Sequence, residues 1–234
     1  MRIIDKETVR FLNEKSPDNL ILIDKPIEWS SFDVVKKVRY LTKIKKVGHA
    51  GTLDPFATGL LILGTGRETR ILSQISNATK EYIASIQLGK STDTYDITGQ
   101  VIEETDIIDI DETEIQSNLE SFLGEYEQIP PMYSAKKVNG KRLYKLARAG
   151  KEIERKAQYV FIYEIKQLSR RDSELEFYIK CSKGTYIRSL AHDIGRKCGC
   201  GAFLNSLRRV AIDDYVIEKA LTVQEFSQYW QSLN

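Results

Sequence analysis

The chain has 234 residues, 41% of them hydrophobic and 29% charged, with a formal net charge of +2, which suits a globular protein with a sizeable core and excludes a disordered or fibrous one. No apolar run approaches the roughly 18–20 residues that cross a bilayer, and Met1-Arg2-Ile3-Ile4-Asp5-Lys6 lacks the apolar region of a secretory signal, so no membrane association and a cytoplasmic location are expected. Three cysteines, at 181, 198 and 200, cannot all pair and do not space as a zinc or redox site; His49 and His192 are the only histidines, and no metal is expected.

Leu20-Ile21-Leu22-Ile23, stopped by Lys25-Pro26, predicts a buried strand entering a loop. A helix follows, capped by Ser30 or Ser31, with Phe32, Val35, Val38 and Leu41 at core-facing spacing and Lys36, Lys37 and Arg39 largely opposite. Val47 to Gly66 holds five glycines and one proline around Leu60-Leu61-Ile62-Leu63, a loop of special geometry leading into another buried strand. Arg67 to Ile75 reads as a short helix. Lys80 to Leu88 alternates as a strand, with Gln100 to Glu103 as its partner after a loop of Asp, Thr and Gly.

From Val101 to Glu127 there are ten carboxylates and no Lys or Arg, with a helix predicted over Glu112 to Phe122. From Pro130 to Lys156 nine Lys or Arg stand against two Glu, in a turn-rich segment too basic for the core, with a short helix at Arg142 to Arg148. A second basic group, Lys36, Lys37, Arg39, Lys43, Lys45 and Lys46, precedes the glycine-rich loop. Such segregation fits a polyanion docking on one face, and equally a set of solvated helix faces; charge alone leaves both open. Tyr159 to Leu168 and Glu174 to Lys180 are predicted strands, Thr185 to Lys197 a helix, Leu204 to Ile212 a strand and Val223 to Trp230 a closing helix. Without a regular βαβ beat, this order predicts an α+β fold, a mixed and largely antiparallel sheet flanked by helices, over one domain.

Within Gly48-His49-Ala50-Gly51-Thr52-Leu53-Asp54-Pro55-Phe56-Ala57-Thr58-Gly59, glycines permit close backbone approach and a proline fixes the turn, so Asp54 is presented at a loop. Taken alone, Asp-Pro is also a common turn pair. The stretch Gly51-Thr52-Leu53-Asp54-Pro55-x-Ala57-Thr58-Gly59 resembles the signature around the catalytic aspartate of TruB-type pseudouridine synthases. Further matches follow in family order. They are Asp24-Lys25-Pro26 with Trp29-Ser30-Ser31, Lys80-Glu81-Tyr82, Ile129-Pro130-Pro131-Met132-Tyr133-Ser134-Ala135 with Gly140-Lys141-x-Leu143-Tyr144, Lys183-Gly184-Thr185-Tyr186-Ile187-Arg188, and Leu207-Arg208-Arg209.

The resemblance, over about residues 18 to 215, implies a pseudouridine-synthase core with an inserted RNA-gripping thumb at about 128–156. It implies conversion of a uridine in the T-loop of tRNA to pseudouridine without metal or cofactor. Asp54 would start the reaction, Arg188 would keep it ionised, and Tyr82 would stack on the base and serve the proton transfer at C5. Tyr186 and Leu207 would line the pocket, and His49 would enter the space left by the flipped base. Lys25, together with Lys136, Lys137, Lys141, Arg142 and Lys145 on the thumb, would contact phosphate. Many bacterial relatives continue into a PUA-type RNA-binding domain, which is not expected here; a monomer acting on the tRNA T-arm is. The alternatives are a synthase acting on ribosomal RNA and a non-catalytic RNA-binding protein or chaperone. An aspartate repelling phosphate at the centre of the site argues against the second.

Overall fold

Two runs of consecutive apolar residues organise the first part of the chain, because a strand buried on both faces needs no alternation. The computed structural model describes residues 1–12, 14–106, 111–134, 137–138, 141–147 and 153–233, without the side chains of 137, 138, 141, 142, 144 and 145. These form two compact units, Met1–Tyr82 with Leu207–Asn234, and Ile83–Ser206. The first unit holds β1 (Ile3–Ile4), β2 (Leu20–Lys25), α1 (Ser31–Thr42), β3 (Val47–His49), β4 (Thr58–Thr65) and α2 (Leu72–Asn77). Strand β2 runs antiparallel to β4 with Ile21 opposite Leu63 and Ile23 opposite Leu61, while β3 adds to β4 with His49 opposite Leu63.

Ile21, Ile23, Leu61 and Leu63 face a core shared with Val34, Val35 and Val38 of α1; Leu20, Leu22, Leu60 and Ile62 face a second core with Leu72 and Ile75 of α2. Each such fully buried side chain stabilises by roughly 1.5–3 kcal/mol. Helix α1 starts at a capping box in which the Ser30 hydroxyl accepts from Asp33 N at 3.1 Å and the Asp33 carboxylate accepts from Ser30 N at 3.1 Å. Phe32, expected in the core, is 52% exposed, because Ser31, Val34, Val35 and Val38 form the buried face and Phe32 lies a step of the helix off it. The helix expected over Arg67 to Ile75 is a 3-10 turn at Gly66–Arg70 followed by α2.

Strand β5 (Lys80–Leu88) begins in the first unit and continues into the second, which adds β6 (Lys90–Thr92), β7 (Val101–Glu104), α3 (Glu112–Glu120), β8 (Gly124–Gln128), β9 (Lys137–Val138), β10 (Lys141–Arg142), α4 (Leu143–Ala147), β11 (Gln158–Arg171), β12 (Glu174–Cys181) and α5 (Ile187–Lys197). The sheet of this unit runs β5, β12, β11, β8, with β11 antiparallel to both neighbours. Ile115 and Leu119 of α3 and Leu190 and Ile194 of α5 are buried, as are Phe177 and Ile179 of β12. Strand β7, expected to pair with β5, pairs instead with β6; every residue of β7 is exposed, Val101 and Ile102 included, so no buried face holds it to the main sheet. The basic segment was expected to stay out of the core, yet Leu143 is fully buried and Pro130, Pro131 and Ser134 are buried too. Its apolar residues follow burial energetics although their neighbours are charged.

Strand β13 (Ala202–Ile212) carries the chain back into the first unit, where Arg208 and Arg209 lie parallel to Thr58 and Gly59 of β4. There β14 (Tyr215–Val216) pairs with β13, β15 (Leu221–Thr222) runs parallel to β2, and α6 (Val223–Ser232) buries Phe226 and Trp230. The α+β architecture is as expected, with a mixed sheet in which antiparallel pairs predominate.

Candidate active site

In the first unit the backbone on both sides of Asp54 is pinned. Ser31 Oγ donates to Leu53 O at 3.1 Å and accepts from Leu53 N at 2.8 Å, fixing the residue before the aspartate. Ala57 N donates to Asp54 O at 3.1 Å, and Glu28 N donates to Pro55 O at 2.8 Å. Lys25 has no exposed surface and donates through Nζ to Pro26 O at 2.9 Å, Trp29 O at 2.5 Å and Pro55 O at 3.3 Å. The ammonium expected on a phosphate therefore ties the Asp54-Pro55 turn to the loop after β2. Burial depresses the Lys25 pKa to about 8, opposed by the negative charge of Asp54. The Asp54 side chain itself is half-buried.

Arg209 completes this arrangement. Its guanidinium is 1% exposed, and it donates from Nε to Leu60 O at 2.7 Å and from Nη2 to Gly51 O at 3.3 Å. Burial lowers its pKa, opposed by the charge and hydrogen bond of Tyr82. Two glycines make room. Gly51 has φ +85°, and at Gly59, φ +103°, an added Cβ would lie 2.3 Å from Arg209 O. Tyr82 and Leu207 are each 8% exposed. His49 ends β3 half-buried, its Nδ1 without a hydrogen-bond partner among the described residues, and burial lowers its pKa below 6.5. Arg208 makes a two-pronged pair with Asp24, Nη2–Oδ2 2.7 Å and Nη1–Oδ1 3.2 Å.

In the second unit Arg188, in the first turn of α5, is 6% exposed; it meets Asp96 at 3.2 Å through Nη1 and donates to Tyr133 O at 2.9 Å through Nη2. Asp96 Oδ1 accepts from Thr94 Oγ1 at 2.8 Å, Thr98 N at 2.9 Å and Thr98 Oγ1 at 2.5 Å. Tyr186 is fixed by the Gln128 amide, which accepts from Tyr186 N at 2.8 Å and donates to Tyr186 O at 3.0 Å. Ser189 Oγ donates to Ile129 O at 2.8 Å, so the start of the basic segment is anchored to α5. Removing either partner of the buried pair of Arg188 and Asp96 would leave an uncompensated charge, at a cost of about 3–5 kcal/mol.

Of the thumb residues expected to hold phosphate, Lys136 lies outside the described residues. Lys137, Lys141, Arg142 and Lys145 are placed by backbone alone, on β9, β10 and α4. Sequence reading passed over Asp96 and Gln128, offered Ser31 only as a helix cap, and gave Arg209 no role of its own. For Arg209 a signal existed, since Leu207, Arg209 and Ala211 share one face of a strand and all three are buried.

Two family profiles match adjacent stretches of the chain, "TruB family pseudouridylate synthase (N terminal domain)" over residues 39–187 and "tRNA pseudouridylate synthase B C-terminal domain" over 188–233. A tRNA pseudouridine synthase B from Clostridium tetani is 46% identical over 90% of this chain and 73% of that protein. One from Chlorobaculum tepidum is 43% identical over 94% of this chain and 93% of that one. Among solved structures, a Cbf5-Nop10-Gar1 complex matches with TM-score 0.73 at 26% identity, covering 95% of this chain and 56% of that one. An H/ACA ribonucleoprotein bound to a substrate RNA matches with TM-score 0.69 at 26% identity, covering 90% and 53%. The chain thus spans little more than half the length of those two structures.

Proposed function

The chain belongs to the TruB family of tRNA pseudouridine synthases, and from that premise we propose that it isomerises the uridine at position 55 in the T-loop of tRNA. The observation that carries this reading is the turn around Asp54, where Ser31, Glu28 and Lys25 each bind its backbone and leave the carboxylate half-buried beside a buried cation. A reaction that gains little from loosely held groups needs such fixed geometry.

The target base is stacked inside a folded loop, so it is flipped out at a cost of a few kcal/mol, which the imidazole of His49 offsets by filling the gap. Asp54, as carboxylate, starts the reaction. The N1–C1′ bond breaks, the base turns while held by Tyr82 and Leu207, and a C5–C1′ bond forms. The proton on C5 leaves with help from the Tyr82 hydroxyl, and N1 takes up a proton, so atoms balance without an external reagent and no cofactor is needed. The thumb lysines and arginines grip the T-arm backbone, and a single chain acts in the cytoplasm.

The test is tritium release from an unmodified tRNA transcript labelled at uridine C5. Wild type should release tritium mapped to position 55, and Asp54→Asn should release none. Release from ribosomal RNA fragments alone would move the substrate. Tight binding without release from any RNA would favour a chaperone.

A further inference from the structure

The outer face of α1 carries cations and rings that neither core nor catalytic loop uses. Phe32 and Tyr40 are 52% and 68% exposed, although large aromatics are normally buried. Lys36 Nζ stands 5.1 Å from the Phe32 centroid, and Lys43 Nζ 4.3 Å from that of Tyr40. Positions 32, 36, 40 and 43 follow helical spacing, so they form one stripe along a helix of 12 residues, about 18 Å. At its end Lys43 adopts φ +60° and closes the helix onto Arg39 O, and the exposed Lys45 and Lys46 extend the stripe toward β3. Between Ser31 and Lys46 there are six Lys or Arg and one acid, Asp33. Among the described residues, the one ion pair these cations make is that of Lys36 with Asp33.

We propose that this face of α1, continued by Lys45 and Lys46, is a second RNA-docking surface, in which the lysines hold backbone phosphates and Phe32 and Tyr40 stack on unpaired bases. The inference rests on the chain acting on RNA. Charge complementarity selects the partner. Phosphates supply the anions that this run of cations lacks, and nucleobases supply flat faces for rings already held beneath ammonium groups. An acidic protein would satisfy the charges but leave two separated rings without matching faces. The chain passes from this surface through β3, ending at His49, into the loop of Asp54.

The experiment measures binding of unmodified tRNA to the full chain across a salt series, with turnover on the same RNA. Replacing Lys36, Lys43, Lys45 and Lys46 together with Gln should weaken binding by about thirtyfold or more near 0.1 M salt and lower the salt slope by about 3. Turnover at saturating RNA should be unchanged. Arg at the same four positions should restore both binding and slope. Phe32→Ser with Tyr40→Ser should weaken binding about tenfold with the slope unchanged, since stacking carries no counterion release. A four-Gln variant that binds within threefold of wild type at an unaltered slope would overturn the proposal. Loss of binding to anionic lipid vesicles in place of RNA would overturn it too, in favour of a membrane surface. If wild type released no tritium from tRNA yet the four-Gln variant still lost RNA binding, the catalytic reading would fall and the docking surface would stand.

Discussion

A lysine without exposed surface has to set its ammonium against acceptors, and Lys25 does so with three carbonyls, one of them that of Pro55 next to Asp54. Lys25→Met keeps the length of the side chain and removes the donor, stranding buried carbonyls at about 1–3 kcal/mol each. A loss near 3 kcal/mol is expected in urea unfolding, together with a fall in kcat larger than any rise in KM, because the turn carrying Asp54 loosens. An unchanged midpoint would show that water replaces the ammonium. Gly59→Ala tests the neighbouring strand contact. With φ +103° and a Cβ 2.3 Å from Arg209 O, the strand must separate from β13 or strain, for about 2–4 kcal/mol. The loop around Asp54 was legible because Gly and Pro declare backbone geometry in the sequence itself. The placement of Lys25 was not, since a charged side chain reads as solvent-facing until its acceptors, distant in sequence, are known.

At the scale of elements, the loop between β6 and β7 is tied to α5 by two residues that sequence patterns did not single out. Tyr95 sits at φ +64°, and its ring stacks on His192, centroids 4.1 Å apart and planes 13° from parallel. The adjacent Asp96 binds Arg188, four residues before His192 on the same helix. A non-glycine residue at positive φ persists only where its surroundings hold it. His192→Ala removes a contact of about 0.5–1.5 kcal/mol, so the Ile97 amide, bonded to Leu204 O at 2.9 Å, should exchange up to about tenfold faster. His192→Phe, which keeps a ring there, should restore the slow rate. Exchange unaffected by the alanine would mean that the threonine bonds of Asp96 hold the loop alone. Helices α1, α5 and α6 were legible to within two residues of their ends because residue preferences along a helix, and the capping boxes of α1 and α6, are local. The pairing of β7 was not, because a strand exposed along its whole length carries no pattern that names its partner.

For the whole molecule, sequence order and alternation indicated an α+β fold, but the parallel contacts of β1 and β15 with β2 and of β13 with β4 join segments far apart and leave no local signature. What composition does reach is the response to acid, because the chain has two histidines, one in each unit. Burial lowers the pKa of both His49 and His192 from 6.5. In the unfolded chain they take up protons as pH falls through about 6.5, while the folded chain resists doing so until lower pH. The unfolded state then binds more protons, stability rises with pH in that window, and it is lost as pH falls below about 6.5. The carboxylate of Asp33, held down to about 2 by the Ser30 hydroxyl and Lys36, stabilises the folded chain by a constant amount across this range and loses that contribution only as pH falls from about 4 toward about 2. Thermal unfolding between pH 7.5 and 5.5 should therefore show a falling Tm in wild type and a flatter curve in His49→Gln/His192→Gln. Parallel curves would assign the acid sensitivity to other groups. Each single variant should flatten the unfolding of its own unit, so a calorimetric trace with two transitions would show which one carries which histidine.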